Sequence, residues 1–193
     1  MEYTDVEVDG FVEADSAINC NVVSNDKVIF NGGHASIVGG KVYGCAGIEV
    51  QNLGNDAFIK TEVHVGVHKK IKIKIAELEK LVDQKQMLLN NINAGIKQIE
   101  QMMGSAADGM NLEEKKLALV RAKIEKTAEL TEDKEELERL KGIVERSTGA
   151  TVQVMKHVYP NVEVCINNSK LVTKEEFDKI EFKENDKAVV MLS

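Results

Sequence analysis

The chain has few of the residues that build an aromatic or cross-linked core. Its 193 residues contain no tryptophan, one proline, three cysteines and only 4% aromatic residues. With 43% hydrophobic residues it can still bury a core, which must be assembled from Val, Ile, Leu and Ala. Small aliphatic side chains suit stacked short strands and heptad helices better than a large mixed core.

The sequence also lacks membrane, export and disulfide signals. No apolar run approaches the roughly 18 residues that cross a bilayer, and the acidic start Met1–Asp5 is unlike a signal peptide. Cys20, Cys45 and Cys165 are an odd number with no CxxC spacing. We expect small buried thiols in a reducing compartment, which predicts a soluble, cytoplasmic protein with no membrane partner.

Charge is unevenly distributed along the chain. Residues 69–147 hold 16 Lys/Arg and 15 Asp/Glu, while the remaining residues hold 9 and 17. The flanking segments therefore carry a net charge of −8 and the middle segment carries +1, which together give the total of −7. An acidic surface repels phosphate backbones, so no nucleic-acid partner is expected.

Residues 1–68 predict short strands with one inward face, because apolar and polar residues alternate in brief runs. The predicted inward residues are Val6, Val8, Val12, Ala14, Ile18, Cys20, Val22, Val28, Phe30, Ala46, Ile48, Val50, Val63 and Val65. Nine of the fourteen glycines divide these runs. Such strands are typical of the rungs of a β-solenoid, and the pairs Gly32-Gly33 and Gly39-Gly40 are expected at corners where a Cβ would clash.

Residues 69–148 predict two long helices. The first has a seam with a spacing of three and four residues, and nine of its ten positions are apolar. These positions are Ile71, Ile75, Leu78, Val82, Lys85, Leu89, Ile92, Ile96, Ile99 and Met103. Residues 104–109 form the predicted reversal loop. Lys85 is the single charged seam residue, and as a lone charge its replacement by leucine is expected to stabilise the hairpin.

The second helix has a less regular apolar pattern. Its predicted seam has a slip in register near residues 127–134 and consists of Leu117, Val120, Ile124, Leu130, Leu137, Leu140 and Val144. Because the two helices have similar lengths, an antiparallel coiled-coil hairpin pairs both seams, whereas a parallel dimer leaves the connecting loop awkwardly placed. Residues 149–193 return to alternating runs and predict strands that complete or cap the solenoid.

No catalytic, cofactor-binding or metal-binding residue is predicted. His64 and His68 are four apart, but they flank a strand end, and no nearby cysteine or carboxylate pair completes a metal site. His34 is the nominee if a solenoid acyltransferase were present. Glu13 and Asp15 are the nominees for a polysaccharide-active cleft. Outward acidic residues are usually only solubilising. Neither the acyltransferase nor the polysaccharide-active enzyme is therefore favoured.

Several of these segments together resemble the flagellar assembly protein A family, a bacterial family of unknown function. They are Ser36–Val42 with its glycine pair, Thr61–Val67, the long coiled coil, and Val158–Val162 with its Tyr-Pro turn. The resemblance implies a right-handed parallel β-helix interrupted by a helical hairpin, with no established catalytic residues and no cofactor. Family members are usually longer, and this chain resembles their C-terminal half. Asn161 stands where the family often has glycine.

These features favour a non-enzymatic scaffold or adaptor that contacts a protein partner through the coiled coil. The resemblance suggests a link to flagellar assembly or cell-surface regulation. A polymer-forming solenoid and a β-helix enzyme are the alternatives, and self-association is left open. The fold class predicted is mainly β with a helical insertion: a right-handed parallel β-helix (β-solenoid) interrupted by an antiparallel coiled-coil hairpin.

Overall fold

A computed structural model describes residues 1–103 and 109–192. The strands are β1 (Asp5–Val8), β2 (Val12–Ala14), β3 (Ser16–Ser24), β4 (Lys27–Phe30), β5 (Ser36–Gly44), β6 (Gly47–Leu53), β7 (Thr61–Val65), β8 (Val152–Val158), β9 (Val162–Ile166), β10 (Ser169–Val172), β11 (Phe177–Asn185) and β12 (Ala188–Leu192). Two helices, α1 (Lys69–Met103) and α2 (Gly109–Arg146), lie between β7 and β8. Residues 104–108 of the predicted reversal loop lie outside the described residues.

The chain forms two compact units. One consists of Met1–Lys69 together with Gly142–Ser193, and the other of Lys70–Lys141. The first unit is the β-solenoid and the second is the pair of helices.

The solenoid has three faces of parallel strands. One face runs β1, β3, β5, β7 and β9, and a second runs β2, β4, β6 and β8. The third face is made by the first halves of β3 and β5 and the second halves of β6 and β8. This architecture confirms the predicted β-solenoid. Its handedness remains an implication of the resemblance.

Each face contributes a column of buried apolar side chains in register. The columns are Val22, Val42, Val63 and Val164 on the first face, Val28, Ile48 and Val152 on the second, and Ala17, Ile37, Leu53 and Val158 on the third. Every one of these residues has no exposed surface. Burying an aliphatic side chain of this size contributes about 1.5–3 kcal/mol. The columns are therefore the main stabilising feature of this unit.

The helices are inserted at one corner of a rung. In the two preceding rungs the corresponding corner has two residues, Asn25-Asp26 and Cys45-Ala46. On the first face, Gly40 pairs with Thr61 of the next rung, and Thr61 pairs with Val162 of the rung after that. The rung from Thr61 to Val162, which contains the helices, is therefore about 80 residues longer than the rung from Gly40 to Thr61. The parallel register resumes after this insertion.

Left-handed backbone conformations make the bends between faces. Asn19 has φ 50°, Gly39 has φ 67° and Gly40 has φ 71°. The bend at Asn19 shifts the inward alternation by one residue, so Ala17 is buried and the prediction that Ile18 points inward is wrong. Ala46 is likewise displaced from the core, where Cys45 is buried instead.

The two glycine pairs differ in role. A Cβ on Gly40 would lie 2.1 Å from the backbone oxygen of Cys20, which confirms the predicted clash. The same prediction is wrong for Gly32-Gly33. A Cβ on Gly33 meets nothing within 4 Å, and one on Gly32 makes ordinary contacts. Only the second pair is therefore required by the backbone.

Antiparallel strands cover the C-terminal end of the solenoid. β10 pairs with β9, β11 pairs with β8, and β12 pairs with β11, all antiparallel. The turn between β8 and β9 contains Asn161 at φ 65°, as expected for a position where asparagine replaces glycine. The strand β11 begins at Phe177, so residues 173–179 form no helix.

The seam predicted for α1 is confirmed. All ten positions are partly or fully buried, and Leu89 is 5% exposed. The intervening residues are exposed except Asn93 and Gly95. The seam of this helix therefore follows directly from the heptad pattern.

The seam predicted for α2 is wrong in its first half. Leu117 and Ile124 are 52% and 66% exposed, whereas Val120, Leu130, Leu137, Leu140 and Val144 are at least partly buried. The observed buried side runs along the helix through Leu112, Lys116, Leu119, Ala122, Lys126, Leu130, Asp133, Leu137 and Leu140. Charged residues occupy several seam positions of α2. A prediction based on apolar residues alone therefore suggested a slip in register.

Gly40→Ala tests the requirement for a left-handed corner. A residue with a Cβ costs about 1–2 kcal/mol at this φ, and the overlap with the Cys20 backbone adds to that cost. We expect a loss of unfolding free energy of more than about 2 kcal/mol in urea denaturation. The matched control is Gly33→Ala, which we expect to be neutral or slightly stabilising. Equal effects of the two substitutions would contradict the assignment.

Candidate functional site

Ion pairs between α1 and α2 establish that the helices are antiparallel. The pairs are Lys74–Glu136, Glu79–Lys141, Lys85–Asp133 and Glu100–Lys116. The two pairs near the start of α1 reach the last third of α2. Glu100, near the end of α1, instead reaches Lys116 near the start of α2. The predicted antiparallel hairpin is thereby confirmed.

Lys85 is paired rather than alone. Its Nζ lies 2.5 Å from Asp133 Oδ2 and 3.3 Å from Glu129 Oε2. The side chains of Lys85 and Asp133 are both 18% exposed. The hydrogen bond to Asp133, ahead of the other contributions, raises the pKa of Lys85 and keeps it charged. A charge in one seam thus faces opposite charges in the other.

Glu136 is the most strongly perturbed carboxyl group of the hairpin. Arg139 Nε and Lys74 Nζ donate to it at 2.7 and 2.5 Å. These bonds, that from Arg139 first, lower its pKa from 4.5 to about 2. Glu136 therefore stays ionised in the folded hairpin at any pH above that range.

A strip without charged residues runs along the outer side of α1. We define the outer strip as Gln84, Met87, Leu88, Asn91, Ala94, Gln98, Gln101 and Met102, all of which are exposed. These residues fall within an arc of about 140° on a helical projection, opposite the seam. Met87, Leu88 and Met102 are 60%, 44% and 55% exposed. The strip is thus a continuous neutral surface with large apolar groups.

The outer side of α2 differs in composition. Its exposed residues include Glu114, Arg121, Glu125, Glu132 and Glu135. The exposed Leu117 and Ile124 lie among these charges. Scattered exposed apolar residues are normal on soluble proteins, whereas a contiguous apolar surface marks a contact. The outer strip of α1 is therefore the better candidate for a binding surface.

The structure does not assemble the nominated enzyme residues into an enclosed site. Glu13 lies on β2, Asp15 follows that strand, and His34 lies in the turn before β5; all three are exposed. Exposed side chains of this kind remain fully hydrated. The described geometry therefore does not support a catalytic site at these three residues.

His64 and His68 do not form a helical pair. His64 lies in β7, and His68 precedes α1 and packs edge-on against Tyr43 with ring centroids 5.6 Å apart. The prediction that no carboxylates lie near His64 is wrong, because Glu62 and Glu163 are close to it. Burial is the main factor that lowers the pKa of His64.

Two of the three thiols are fully buried. Cys20 and Cys45 are 1% and 0% exposed, as expected, while Cys165 is partly exposed. Burial raises the pKa of the Cys45 and Cys165 thiols. A raised pKa suppresses the thiolate, so neither behaves as an activated nucleophile.

Nearly the whole chain matches a known protein family. Residues 1–189 match the Flagellar Assembly Protein A beta solenoid domain. The chain belongs to the flagellar assembly protein A family. Comparisons with curated proteins and with solved structures found no match.

Within residues 1–103 and 109–192, no helix is both long and apolar enough to cross a membrane.

Lys85→Leu in this family member should destabilise the hairpin, contrary to the expectation for a lone charge. The substitution leaves Asp133 partly buried without its cation. We expect a lower thermal midpoint in circular dichroism at 222 nm. The double variant Lys85→Leu/Asp133→Leu should recover that loss, because two apolar groups then face each other in the seam. A single variant more stable than the wild type would show that the ion pair is unimportant.

Glu136 should make the flagellar assembly protein A hairpin acid-sensitive. Its folded pKa is depressed, so its stabilising contribution is present above pH about 4.5 and is lost as the pH falls toward about 2. Glu136→Gln should therefore be less stable than the wild type at pH 7, with the difference disappearing near pH 2. Urea unfolding followed by circular dichroism across this range provides the test. A difference that does not depend on pH would refute the linkage.

Proposed function

We propose that this member of the flagellar assembly protein A family is a non-catalytic cytoplasmic scaffold. Its hairpin binds a helix of a partner protein along the outer strip of α1. The name of the family links these proteins to flagellar assembly. A role there or in cell-surface regulation accords with that link.

The observation that carries the proposal is the absence of charge along the outer strip. Charged residues make up 30% of the chain, yet none of the eight residues of the outer strip is charged. At 1.5 Å per residue the strip is roughly 27 Å long. A solvent-exposed helix face is normally rich in charge, so the composition favours a surface that is covered by another protein.

A helix is the partner element that best fits the strip. Met87, Ala94 and Gln101 of the outer strip recur at intervals of seven along α1, which is the repeat that a second helix meets in a coiled coil. Met87 and Met102 are adaptable side chains that suit a docking surface. The neighbouring amide side chains can form hydrogen bonds at the rim of such a contact.

The alternatives receive less support. End-to-end polymerisation requires free strand edges at both ends of the solenoid. At the C-terminal end β8 and β9 pair with the antiparallel strands β11 and β10, so a second copy cannot continue the parallel rungs directly. For an enzyme, the exposed positions of Glu13, Asp15 and His34 offer no enclosed pocket.

Matched charge substitutions test the contact. Leu88→Glu and Ile124→Glu each place a carboxylate at an exposed apolar position, the first in the outer strip and the second on α2. A partner captured from cell extract by the wild-type chain is purified, and its affinity for each variant is measured by calorimetry. Losing one buried leucine contact costs about 1.5–3 kcal/mol, so we expect a roughly tenfold or greater loss for Leu88→Glu only.

Two results would overturn the proposal. One is equal affinity of the partner for the wild type and Leu88→Glu, provided that circular dichroism shows both folded. The other is sedimentation showing that Leu88→Glu abolishes only self-association. In that case the strip would bind a second copy of the chain, and an adaptor role would fail.

A further inference from the structure

Three potential metal ligands meet on the outer surface of the solenoid. Glu62 and His64 alternate with the buried residues Thr61, Val63 and Val65 of β7, so both point outward. Glu163 in β9 is the register partner of Glu62. The ligand atoms of Glu62, His64 and Glu163 all lie within 4.8 Å of one another.

The two carboxylates are like charges on neighbouring strands, and each is paired with a lysine. Like charges directly opposite each other on neighbouring strands destabilise a sheet. Lys60 Nζ lies 2.5 Å from Glu62, and Lys170 Nζ lies 2.7 Å from Glu163. These lysine side chains are 62% and 56% exposed, whereas the two glutamates are 25% and 12% exposed. The cations are thus peripheral, and the anions are held in place.

His64 presents an unsatisfied nitrogen to this pair. Its Nε2 is buried and makes no hydrogen bond with any residue that the structure describes. Glu62 Oε2 lies 3.6 Å away, beyond hydrogen-bond distance. A buried polar atom without a partner destabilises the fold. The arrangement would be completed by a cation that bonds to all three groups.

We propose that Glu62, His64 and Glu163 bind a divalent transition-metal ion such as Zn²⁺. Tetrahedral zinc, with bonds of about 2.1 Å, separates its ligand atoms by roughly 3.4 Å. The 3.6 Å between His64 Nε2 and Glu62 Oε2 is close to that separation. An imidazole with two carboxylates favours Zn²⁺ over Mg²⁺ or Ca²⁺, which prefer oxygen ligands alone.

Such an ion would connect the rungs on either side of the helical insertion. β7 is the last strand before the helices, and β9 is its neighbour on the same face after them. The metal would replace the peripheral lysines Lys60 and Lys170, which can turn into solvent. Lys41, the register partner of Glu62, is also exposed and opposes the metal by its charge.

Titration calorimetry of the tag-free chain with Zn²⁺ tests the site. We expect one equivalent to bind and to raise the thermal midpoint, since a ligand of the folded state stabilises it. His64→Gln and Glu163→Gln should each weaken binding by roughly tenfold or more. Lys170→Gln should strengthen binding, because it removes a competing cation. His157→Gln, which alters an exposed histidine paired with Asp178, and Cys165→Ser should bind as the wild type does.

Several outcomes of this titration would reject the proposed metal site. Absence of one-equivalent Zn²⁺ binding by the wild type would do so, as would unchanged affinity in a folded His64→Gln variant. Loss of binding in Cys165→Ser with retention in His64→Gln would assign the metal to a thiol. Preference for Mg²⁺ over Zn²⁺ would also exclude the proposed ligand set.

Discussion

Stacking of one apolar residue per face on its equivalent in the next rung is the interaction on which the structure depends. Val22, Val42, Val63 and Val164 illustrate it, since all are in register and fully buried. This stacking constrains the strands but not the corners. A corner can therefore lengthen greatly, because the entropy of closing a loop grows only slowly with its length. A structured insertion such as the hairpin also supplies its own stabilising contacts.

The hairpin departs from the usual distribution of charge in a coiled coil. Such helices normally have an apolar seam and a charged exterior. Here Lys85 and Asp133 lie in the seam, while the outer strip of α1 is neutral. Paired charges in a seam favour one alignment of the helices, because any slip separates them. The neutral exterior leaves the same helix suited to a second contact.

Rung stacking also aligns the outward residues, where it can bring like charges together. Glu62 and Glu163 are adjacent because the inward columns on both sides of them are in register. The core thus dictates a surface feature that is unfavourable by itself. Cations must compensate it, and Lys60 and Lys170 do so in the structure. The proposed scaffold surface and the proposed metal site are therefore separate consequences of two repeating patterns.

The sequence alone determined the solenoid class, the insertion and the seam of α1, because alternation, glycine corners and apolar heptads are local patterns. It could not place Ile18, since one left-handed residue at Asn19 shifts the alternation. It misplaced the α2 seam because Lys126 and Asp133 become seam residues only when α1 supplies partners or cover. Tertiary structure alone decided that Glu163 joins Glu62 and His64, because rung register brings together strands that the inserted helices separate along the chain.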